Sequence, residues 1–334
     1  MIRSRHLKMA WRFGIGRFRR VHPVDVQATL LNACNLRCVY CRCPEVKTPV
    51  MTTEQWRATI TGLASLGMVR IKFQGGEPTM RPDFNEIAAA AKANGVTTAT
   101  ITNGMLVPGR PALLDHLDEV IVSLDSSGPE VHERQRGAGT WAPAVQTIEL
   151  ARARGLRVYV NMVLTTQSLG DLEAMLDFCE QRGVWMNAQP VMFDRQYYDD
   201  GARPIALTGD EIRQVHQRLS DWKRQGRRLM FSAAAYAKPI SWLDHQKAIS
   251  QSTGTSSCMA GRDYIHIEAN GDIIPCVQHG ATFQPKNLLR DGLVEALLHV
   301  RRHNCGDCWI PYLNERKLVF GLHPQALLEI ARRG

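Results

Sequence analysis

The sequence lacks a hydrophobic run of about 18 residues, the minimum that a membrane-spanning helix requires. It also lacks a secretory signal peptide, so its nine cysteines do not indicate an extracellular disulfide framework. No low-complexity tract occurs apart from a short Ser/Thr/Gly-rich stretch at 250–257. We therefore expect a cytoplasmic, folded protein whose grouped cysteines bind metal.

Three cysteines near the N-terminus, Cys34, Cys38 and Cys41, have the spacing C-x3-C-x2-C. Iron–sulfur clusters are normally held by four thiolates, so a three-cysteine site leaves one iron open to a ligand that is not protein. Structural zinc sites usually combine paired C-x2-C hooks with a fourth protein ligand. The spacing therefore favours an iron–sulfur cluster, with a zinc knuckle or scattered buried thiols as the alternative.

The segment from Cys34 to Cys41 closely resembles the cysteine motif of the radical S-adenosylmethionine (SAM) enzymes. The resemblance implies a [4Fe–4S] cluster whose open iron binds the amino and carboxylate groups of SAM. It further implies that an electron from the cluster cleaves SAM to a 5′-deoxyadenosyl radical. A reduced donor such as flavodoxin or ferredoxin is expected to supply that electron.

Two further segments match this family in the expected order. The turn Gly75-Gly76-Glu77 follows a short apolar strand, and its glycines let a ligand approach the backbone with no Cβ in the way. By resemblance, this turn holds the SAM amino group, while Ser123 and Arg136 reach the SAM carboxylate and ribose. A guanidinium suits a carboxylate because its fork binds both oxygens.

Three more residues are candidate SAM contacts with open alternatives. Tyr40 stands where the family often has an aromatic residue near the adenine, and plain packing explains it equally well. Asn103 and Asp125 end two predicted strands, where barrel enzymes build their sites. Turn formation or helix capping is the alternative role for both.

A second cysteine group lies near the C-terminus, in the pattern C-x12-G-x4-C followed by C-x2-C. Its members are Cys258, Cys276, Cys305 and Cys308. The pattern resembles the opening of the SPASM domain and of its shorter form, the twitch domain, which implies one auxiliary [4Fe–4S] cluster. We predict a strand at 264–268 and a type I′ turn at 269–272 that bring Cys258 and Cys276 together. Four thiolates also suit structural zinc, which remains the alternative.

Two cysteines fall outside both groups. Cys179 shares an apolar helical face with Leu172, Met175 and Leu176, and we predict that it is a core residue. Cys43 lies two residues beyond the first motif and receives no role.

Apolar stretches alternate with helical patterns along much of the chain. The predicted strands are Val26–Leu31, Val69–Phe73, Thr97–Thr102, Glu119–Leu124, Arg157–Leu164 and Trp185–Val191. The predicted helices are Thr53–Leu66, Asp83–Ala93, Pro111–Leu117, Ala142–Arg154 and Asp171–Arg182. Repeated strand–helix units require parallel strands and right-handed crossovers. We therefore predict an α/β fold, and the resemblance implies a partial (β/α)6 barrel with a small C-terminal twitch-like domain.

The chain divides into a basic arm at 1–23, the barrel at 24–225, a linker or insertion at 226–257, and a twitch-like domain with its tail at 258–334. Within the barrel segment, Thr208 is predicted to cap a helix running to about Gln225. Residues 1–20 hold seven Lys or Arg and no acidic residue, interleaved with apolar side chains. Such an arm suits an anionic membrane surface or nucleic acid, or it packs on the barrel with its charges solvated. We regard nucleic acid as the weakest of these partners.

We predict a radical SAM enzyme that abstracts a hydrogen atom from its substrate, for oxidation or C–C or C–X bond formation on a small molecule, lipid or cofactor precursor. A peptide-modifying SPASM-type enzyme is the alternative, although the arm is shorter than the peptide-binding domain at the front of many such enzymes. A zinc-binding, nucleic-acid-associated protein is the alternative from another class. Because four thiolates are present, we expect the auxiliary cluster to accept an electron rather than bind substrate.

Overall fold

The structure is a computed structural model that describes residues 21–192, 200–245, 247 and 258–333. Within these residues the strands are β1 Asp25–Leu31, β2 Arg70–Gly75, β3 Thr97–Thr102, β4 Glu119–Ser123, β5 Arg157–Leu164, β6 Trp185–Pro190, β7 Tyr264–Ile267, β8 Asp272–Ile274 and β9 Lys286–Asn287. Each of the six predicted barrel strands is present, with its ends within two residues of the predicted ends.

Helices follow the strands as the alternating pattern predicted. They are α1 Thr53–Leu66, α2 Phe84–Ala93, α3 Pro129–Arg136, α4 Trp141–Ala153, α5 Leu172–Gln181, α6 Gly209–Arg224, α7 Ala233–Ala237, α8 Leu293–Arg301, α9 Pro311–Phe320 and α10 Pro324–Arg333. Capping boxes start two of them, because Thr52 and Thr208 each accept from the backbone three residues on and are bonded in return. The predicted helix after Thr208 is therefore confirmed.

The strands form one sheet in the order β6-β5-β4-β3-β2-β1-β7-β8-β9. β1 to β6 pair in parallel, each beside its predecessor in the chain, as six strand–helix units with right-handed crossovers require. β7 also pairs in parallel with β1, and β8 and β9 follow antiparallel. The predicted α/β fold with an open, partial barrel is confirmed, and the last three strands continue its sheet.

Successive side chains of β1 and β2 alternate between the two faces of the sheet. The outward set, which includes Val26, Ile71 and Phe73, is fully buried in the main apolar core beneath the helices. The inward set is polar and includes Gln27 and Lys72, which are paired in register. β1 and β2 therefore place polar side chains in the barrel interior, and their apolar side chains pack against the helices outside.

Three local predictions are wrong. The helix expected at Pro111–Leu117 is a short 3-10 helix at Pro111–Leu114. Helix α3 was missed because its sequence is dominated by charged and polar residues and lacks an apolar stripe. The hairpin turn is not type I′, because Asn270 has a negative φ; only Gly271, at φ 91°, is left-handed, which gives a three-residue loop.

Other predictions have mixed outcomes. Cys179 is fully buried with Leu172, Met175 and Leu176, as predicted for a core residue. Among the described residues, no helix is both long and apolar enough to cross a membrane. The basic arm at 1–20 and the Ser/Thr/Gly stretch at 250–257 lie outside the described residues, and the four-segment division stays a prediction.

Candidate active site and a second cysteine cluster

A cavity of about 870 Å³ runs through the barrel interior. One end is lined by the loop after β1, which carries Cys34, Cys38 and Cys41. The other end is lined by Tyr312 and Arg316 of α9. All the candidate SAM contacts except Asp125 line the cavity: Tyr40, Gly75, Gly76, Glu77, Asn103, Ser123 and Arg136.

Gly75, the last residue of β2, and Gly76 after it let the end of β1 and the start of the cysteine loop pack directly on their backbone. A Cβ at Gly75 would lie 2.0 Å from the Leu31 carbonyl oxygen, and one at Gly76 would lie 2.2 Å from that of Ala33. The amides of Gly76 and Glu77 donate to the Leu31 and Ala33 carbonyls, both at 2.9 Å. The predicted reason for these glycines was approach to a ligand. The structure adds another, which is close contact between two backbone segments that fixes the cysteine loop.

Glu77 is fully buried and its carboxylate is an acceptor for the protein itself. Its Oε1 accepts from the Thr79 amide, the Thr79 hydroxyl and the Thr102 hydroxyl, the last at 2.8 Å. Its Oε2 accepts from the Asn103 amide at 2.7 Å. Burial raises the pKa of Glu77, and these hydrogen bonds act in the opposite direction. Glu77 thus ties the end of β3 to the glycine turn.

Asp125 is fully buried behind two other candidate residues. Its carboxylate accepts hydrogen bonds from Nε and Nη2 of Arg136 at 2.7 and 2.9 Å. It also accepts from the Tyr40 hydroxyl at 2.7 Å and from the Val163 amide at 2.9 Å. Its own amide donates to Nδ1 of His132, at 3.1 Å. A carboxylate that accepts these four hydrogen bonds holds Arg136 and Tyr40 in place, and the expected contact of Asp125 with SAM stays a prediction.

Asn103 reaches the cysteine loop directly. Its Nδ2 donates to Asn35 Oδ1 at 2.8 Å and lies 3.8 Å from Cys34 Sγ. Ser123, at the end of β4, pairs in register with Asn161 of β5 and faces the cavity. Both residues therefore line the cavity at the C-terminal ends of their strands, and their contact with SAM stays a prediction.

The donor set of the first cysteine group fits an iron–sulfur cluster with an open position. Burial raises the pKa of the Cys34, Cys38 and Cys41 thiols, that of Cys41 to about 11, while Arg136 lowers that of Cys38. A metal must therefore displace protons to bind there. The nearby Cys43 is buried and lies 3.8 Å from Asn32 Oδ1.

The four C-terminal cysteines also come together. Cys305 interacts with Cys258, Cys276 and Cys308, and all except Cys258 are buried. A hydrogen bond from Cys305 lowers the pKa of Cys258 to about 6, with help from Lys317 and Arg262. The same bond raises the pKa of Cys305. Cys258 therefore loses its proton more readily than an ordinary thiol, which favours metal binding.

Two histidines beside this cluster were missed by the sequence analysis. His279 Nε2 lies 3.2 Å from Cys305 Sγ, and His303 Nε2 lies 3.3 Å from His279 Nε2. With Cys305 they form a group whose ligand atoms all lie within 4.8 Å of one another. The available signal was their spacing, three residues after Cys276 and two before Cys305. The second site therefore offers sulfur and nitrogen ligands, whereas the first offers sulfur alone.

Comparison with known proteins gives consistent matches. Residues 29–179 match the profile described as the Radical SAM superfamily. The mycofactocin maturase MftC of Mycobacterium ulcerans is 29% identical over 286 residues, which are 81% of this chain and 73% of that protein. The PqqA peptide cyclase of Ruegeria pomeroyi is 32% identical over 169 residues, 48% of this chain and 45% of that protein.

Among solved structures, Streptococcus suis SuiB bound to the precursor peptide SuiA matches with a TM-score of 0.67. The match covers 93% of this chain and 76% of SuiB at 17% sequence identity. At that identity the likeness establishes a shared fold, and it extends over the barrel and the C-terminal strands together.

Proposed function

Because the chain belongs to the radical SAM superfamily, with a C-terminal segment of the SPASM/twitch type, we propose that it is a peptide-modifying radical SAM enzyme. The family binds SAM and a [4Fe–4S] cluster, and the enzyme cleaves SAM reductively to a 5′-deoxyadenosyl radical that abstracts a hydrogen atom from substrate. This membership excludes the alternative of a non-catalytic zinc protein.

The observation that carries the site assignment is the three-cysteine loop, packed on Gly75 and Gly76 at the mouth of the barrel cavity. We assign Cys34, Cys38 and Cys41 to the cluster. Gly75, Gly76, Ser123 and Arg136 would surround SAM, and Tyr40 would lie beside it. Glu77, Asn103 and Asp125 would act by holding these groups in place. The cofactors would supply the radical chemistry, while the chain binds the cofactors and the substrate, orients them and excludes water from the site.

A peptide substrate is supported by the relatives. One is named a peptide cyclase, and the similar SuiB structure holds a precursor peptide. The barrel cavity has charged and polar side chains among its lining residues and adjoins the cysteine loop, so one side chain or a chain end is the part of a peptide that would enter. This reading replaces the small-molecule, lipid or cofactor precursor as the first choice.

We also propose an auxiliary [4Fe–4S] cluster on Cys258, Cys276, Cys305 and Cys308. Its support is the gathering of four thiols at one place, where the hydrogen bond from Cys305 lowers the pKa of Cys258. After hydrogen abstraction, loss of one proton and one electron completes a two-electron oxidation of the substrate. The auxiliary cluster would take that electron, and a reduced flavodoxin or ferredoxin would supply the one that cleaves SAM.

The basic arm keeps its predicted membrane contact as a proposal of its own. Positive charges near an anionic bilayer each contribute on the order of 1 kcal/mol, so binding would weaken as salt rises. Sedimentation of full-length and arm-deleted protein with anionic and neutral vesicles tests this. Equal and negligible sedimentation of both forms would contradict it.

The test of the main proposal uses anaerobically reconstituted, dithionite-reduced protein. Without substrate it should slowly convert SAM to 5′-deoxyadenosine and methionine. With the correct precursor peptide, 5′-deoxyadenosine formation should rise and the peptide should lose the mass of two hydrogen atoms. The first candidates are short peptides encoded beside the gene. SAM cleavage that no peptide stimulates, but that a small molecule does, would overturn the peptide substrate and leave the family activity intact.

A further inference from the structure

The floor of the barrel cavity holds a compact group of charged side chains. The Asp25 carboxylate forms ion pairs with Arg316, at 2.7 Å, and with Arg70, at 3.4 Å. The Glu119 carboxylate receives Arg70 at 2.7 Å and Arg157 at 2.5 Å. Three guanidinium groups are therefore paired with two carboxylates, and each carboxylate is already shared.

Lys72 lies on β2 above this floor, and it differs from the arginines. Its side chain is only 9% exposed and lines the cavity. Among the described residues it has neither a hydrogen bond nor an ion pair, and the centroid of the Tyr312 ring lies 5.7 Å from its Nζ. Burial, reinforced by Arg316 and Arg70, lowers the pKa of Lys72 well below its usual value.

A buried ammonium without a partner is costly, and a structural lysine would normally be paired or exposed. Another carboxylate that lines the cavity, Glu315, accepts instead from the amide and hydroxyl of Ser232, at 2.9 and 2.6 Å. Asp25 and Glu119 attract the Lys72 amine, but among the described residues no side chain forms a hydrogen bond or an ion pair with it. An anion that enters the barrel would supply such a partner.

We propose that Lys72 binds a carboxylate of the substrate inside the barrel. The inference rests on the proposed function, since it names the group by which a peptide would be held. The carboxylate would stabilise the ammonium form of Lys72, and the rest of the substrate would extend toward the cysteine loop. The group is the carboxylate of an acidic side chain or of a chain terminus, because a barrel interior of this size admits one such end.

The test measures binding and does not depend on turnover. Reconstituted, SAM-bound protein is titrated calorimetrically with three matched probes: N-acetylglutamine, which has a main-chain carboxylate; N-acetylglutamate α-amide, which has a side-chain carboxylate; and N-acetylglutamine amide, which has none. We expect at least one carboxylate probe to bind tenfold or more tightly than the neutral amide. The stronger of the two identifies the source of the carboxylate.

The variants are Lys72→Met and, as the matched control, Lys92→Met, which removes a surface lysine paired with Asp118 at 2.8 Å. The carboxylate preference should vanish in Lys72→Met and persist in Lys92→Met. Lys72→Met should also melt at the wild-type temperature or higher, because it replaces a buried amine that has no hydrogen-bond partner among the described residues with an apolar side chain. A lower melting temperature would point to a structural lysine on Tyr312.

Two results would overturn the proposal. One is the absence of carboxylate binding to the wild type at tens of millimolar probe. The other is a carboxylate preference that survives in Lys72→Met. Failure of the wild type to cleave SAM would instead overturn the proposed function, and it is read in a separate assay.

Discussion

The two cysteine groups differ in how exposed their thiols are and in what lies beside them. The first is a single loop after β1, and its three thiols are partly exposed at the mouth of a large cavity. The second is assembled from residues 258–308, and three of its four thiols are buried beside two histidines. An incomplete ligand set next to a cavity suits a metal centre that must bind a small molecule. A complete ligand set in a closed place suits one that only stores charge.

The charges beside the two groups differ in the same way. At the first group, Arg136 and Asp125 form a buried ion pair joined by two hydrogen bonds, and their side chains are 8% and 0% exposed. At the second group, Asp307 is about one third exposed and pairs with Lys238 and Lys317. The ion pair beside the first group is therefore buried, whereas Asp307 and its two lysines beside the second group are partly exposed.

The largest expected effect comes from removing the first thiol group. Replacing Cys34, Cys38 and Cys41 together with Ala should abolish 5′-deoxyadenosine formation and lower iron from about eight to about four per chain. Cys305→Ala with Cys308→Ala should lower iron to a similar value yet leave substrate-free SAM cleavage in place. Iron, sulfide and zinc analysis with product chromatography measures both. A wild type with about four iron and stoichiometric zinc would contradict the auxiliary cluster.

The next effect compares the two carboxylates. Asp125→Asn leaves Arg136 buried without a counter-charge, and we expect a loss of roughly 3–5 kcal/mol in the free energy of unfolding. Asp307→Asn removes a partly exposed pair, and a loss below about 1 kcal/mol is expected. Chemical denaturation of the metal-free proteins gives both values. Equal losses would mean that the two ion pairs contribute equally to the free energy of unfolding, in contradiction to this comparison.

The third prediction concerns backbone packing under the first group. Gly76→Ala would place a Cβ 2.2 Å from the Ala33 carbonyl and 2.3 Å from that of Asn32, so the cysteine loop must move. Destabilisation of roughly 1–3 kcal/mol and weaker SAM binding should follow. The matched control is Gly109→Ala, because a Cβ there meets no atom within 4 Å. Melting curves and SAM titration measure the difference, and unchanged SAM affinity in Gly76→Ala would show that the loop tolerates the shift.

The smallest effect concerns the two histidines, and it separates iron from zinc at the second group. Since the four thiols suffice for a [4Fe–4S] cluster, His279→Ala with His303→Ala should leave iron near eight per chain. In metal-free protein the same pair of substitutions should weaken zinc binding by roughly 10–100-fold, if the imidazoles bind the zinc or orient the thiolates that bind it. Competitive zinc titration checks this. Loss of about four iron would instead make a histidine necessary to the cluster.

Sequence periodicity was sufficient for the barrel strands, because each apolar run has the length of a strand and is followed by a helical pattern. It was insufficient for α3, whose charged residues carry no apolar stripe and which is held by contacts from Asp125 to His132 and Arg136. The turn at Asn270-Gly271 fits more than one loop geometry, and the pairing of Glu268 with Asp272 selects one of them.

Spacing along the chain located the thiols and the glycine turn, since each set is local in sequence. It gave no warning of the roles of Glu77 and Asp125, because their donors come from other strands and helices. The meeting of His279 with His303 and the isolation of Lys72 have the same origin. Both depend on which residues the fold brings near and which it keeps away.

The parallel pairing of β7 with β1 also bears on how the chain folds during synthesis. Bonds from Thr29 to His266 and from Tyr264 to Gln27 join residues 237 positions apart. At 5–20 residues per second a ribosome needs roughly 10–50 s to make that interval, and for that time the described chain offers no strand to this edge of β1. An unpaired edge attracts other chains.

We therefore expect nascent chains of intermediate length to depend on chaperones and to aggregate readily without them. Pulse proteolysis of ribosome-stalled chains should find β1 protected only after residues 264–274 have emerged. Protection at an earlier length would contradict this. The first cysteine loop is therefore made well before β7, the strand that pairs with the free edge of β1.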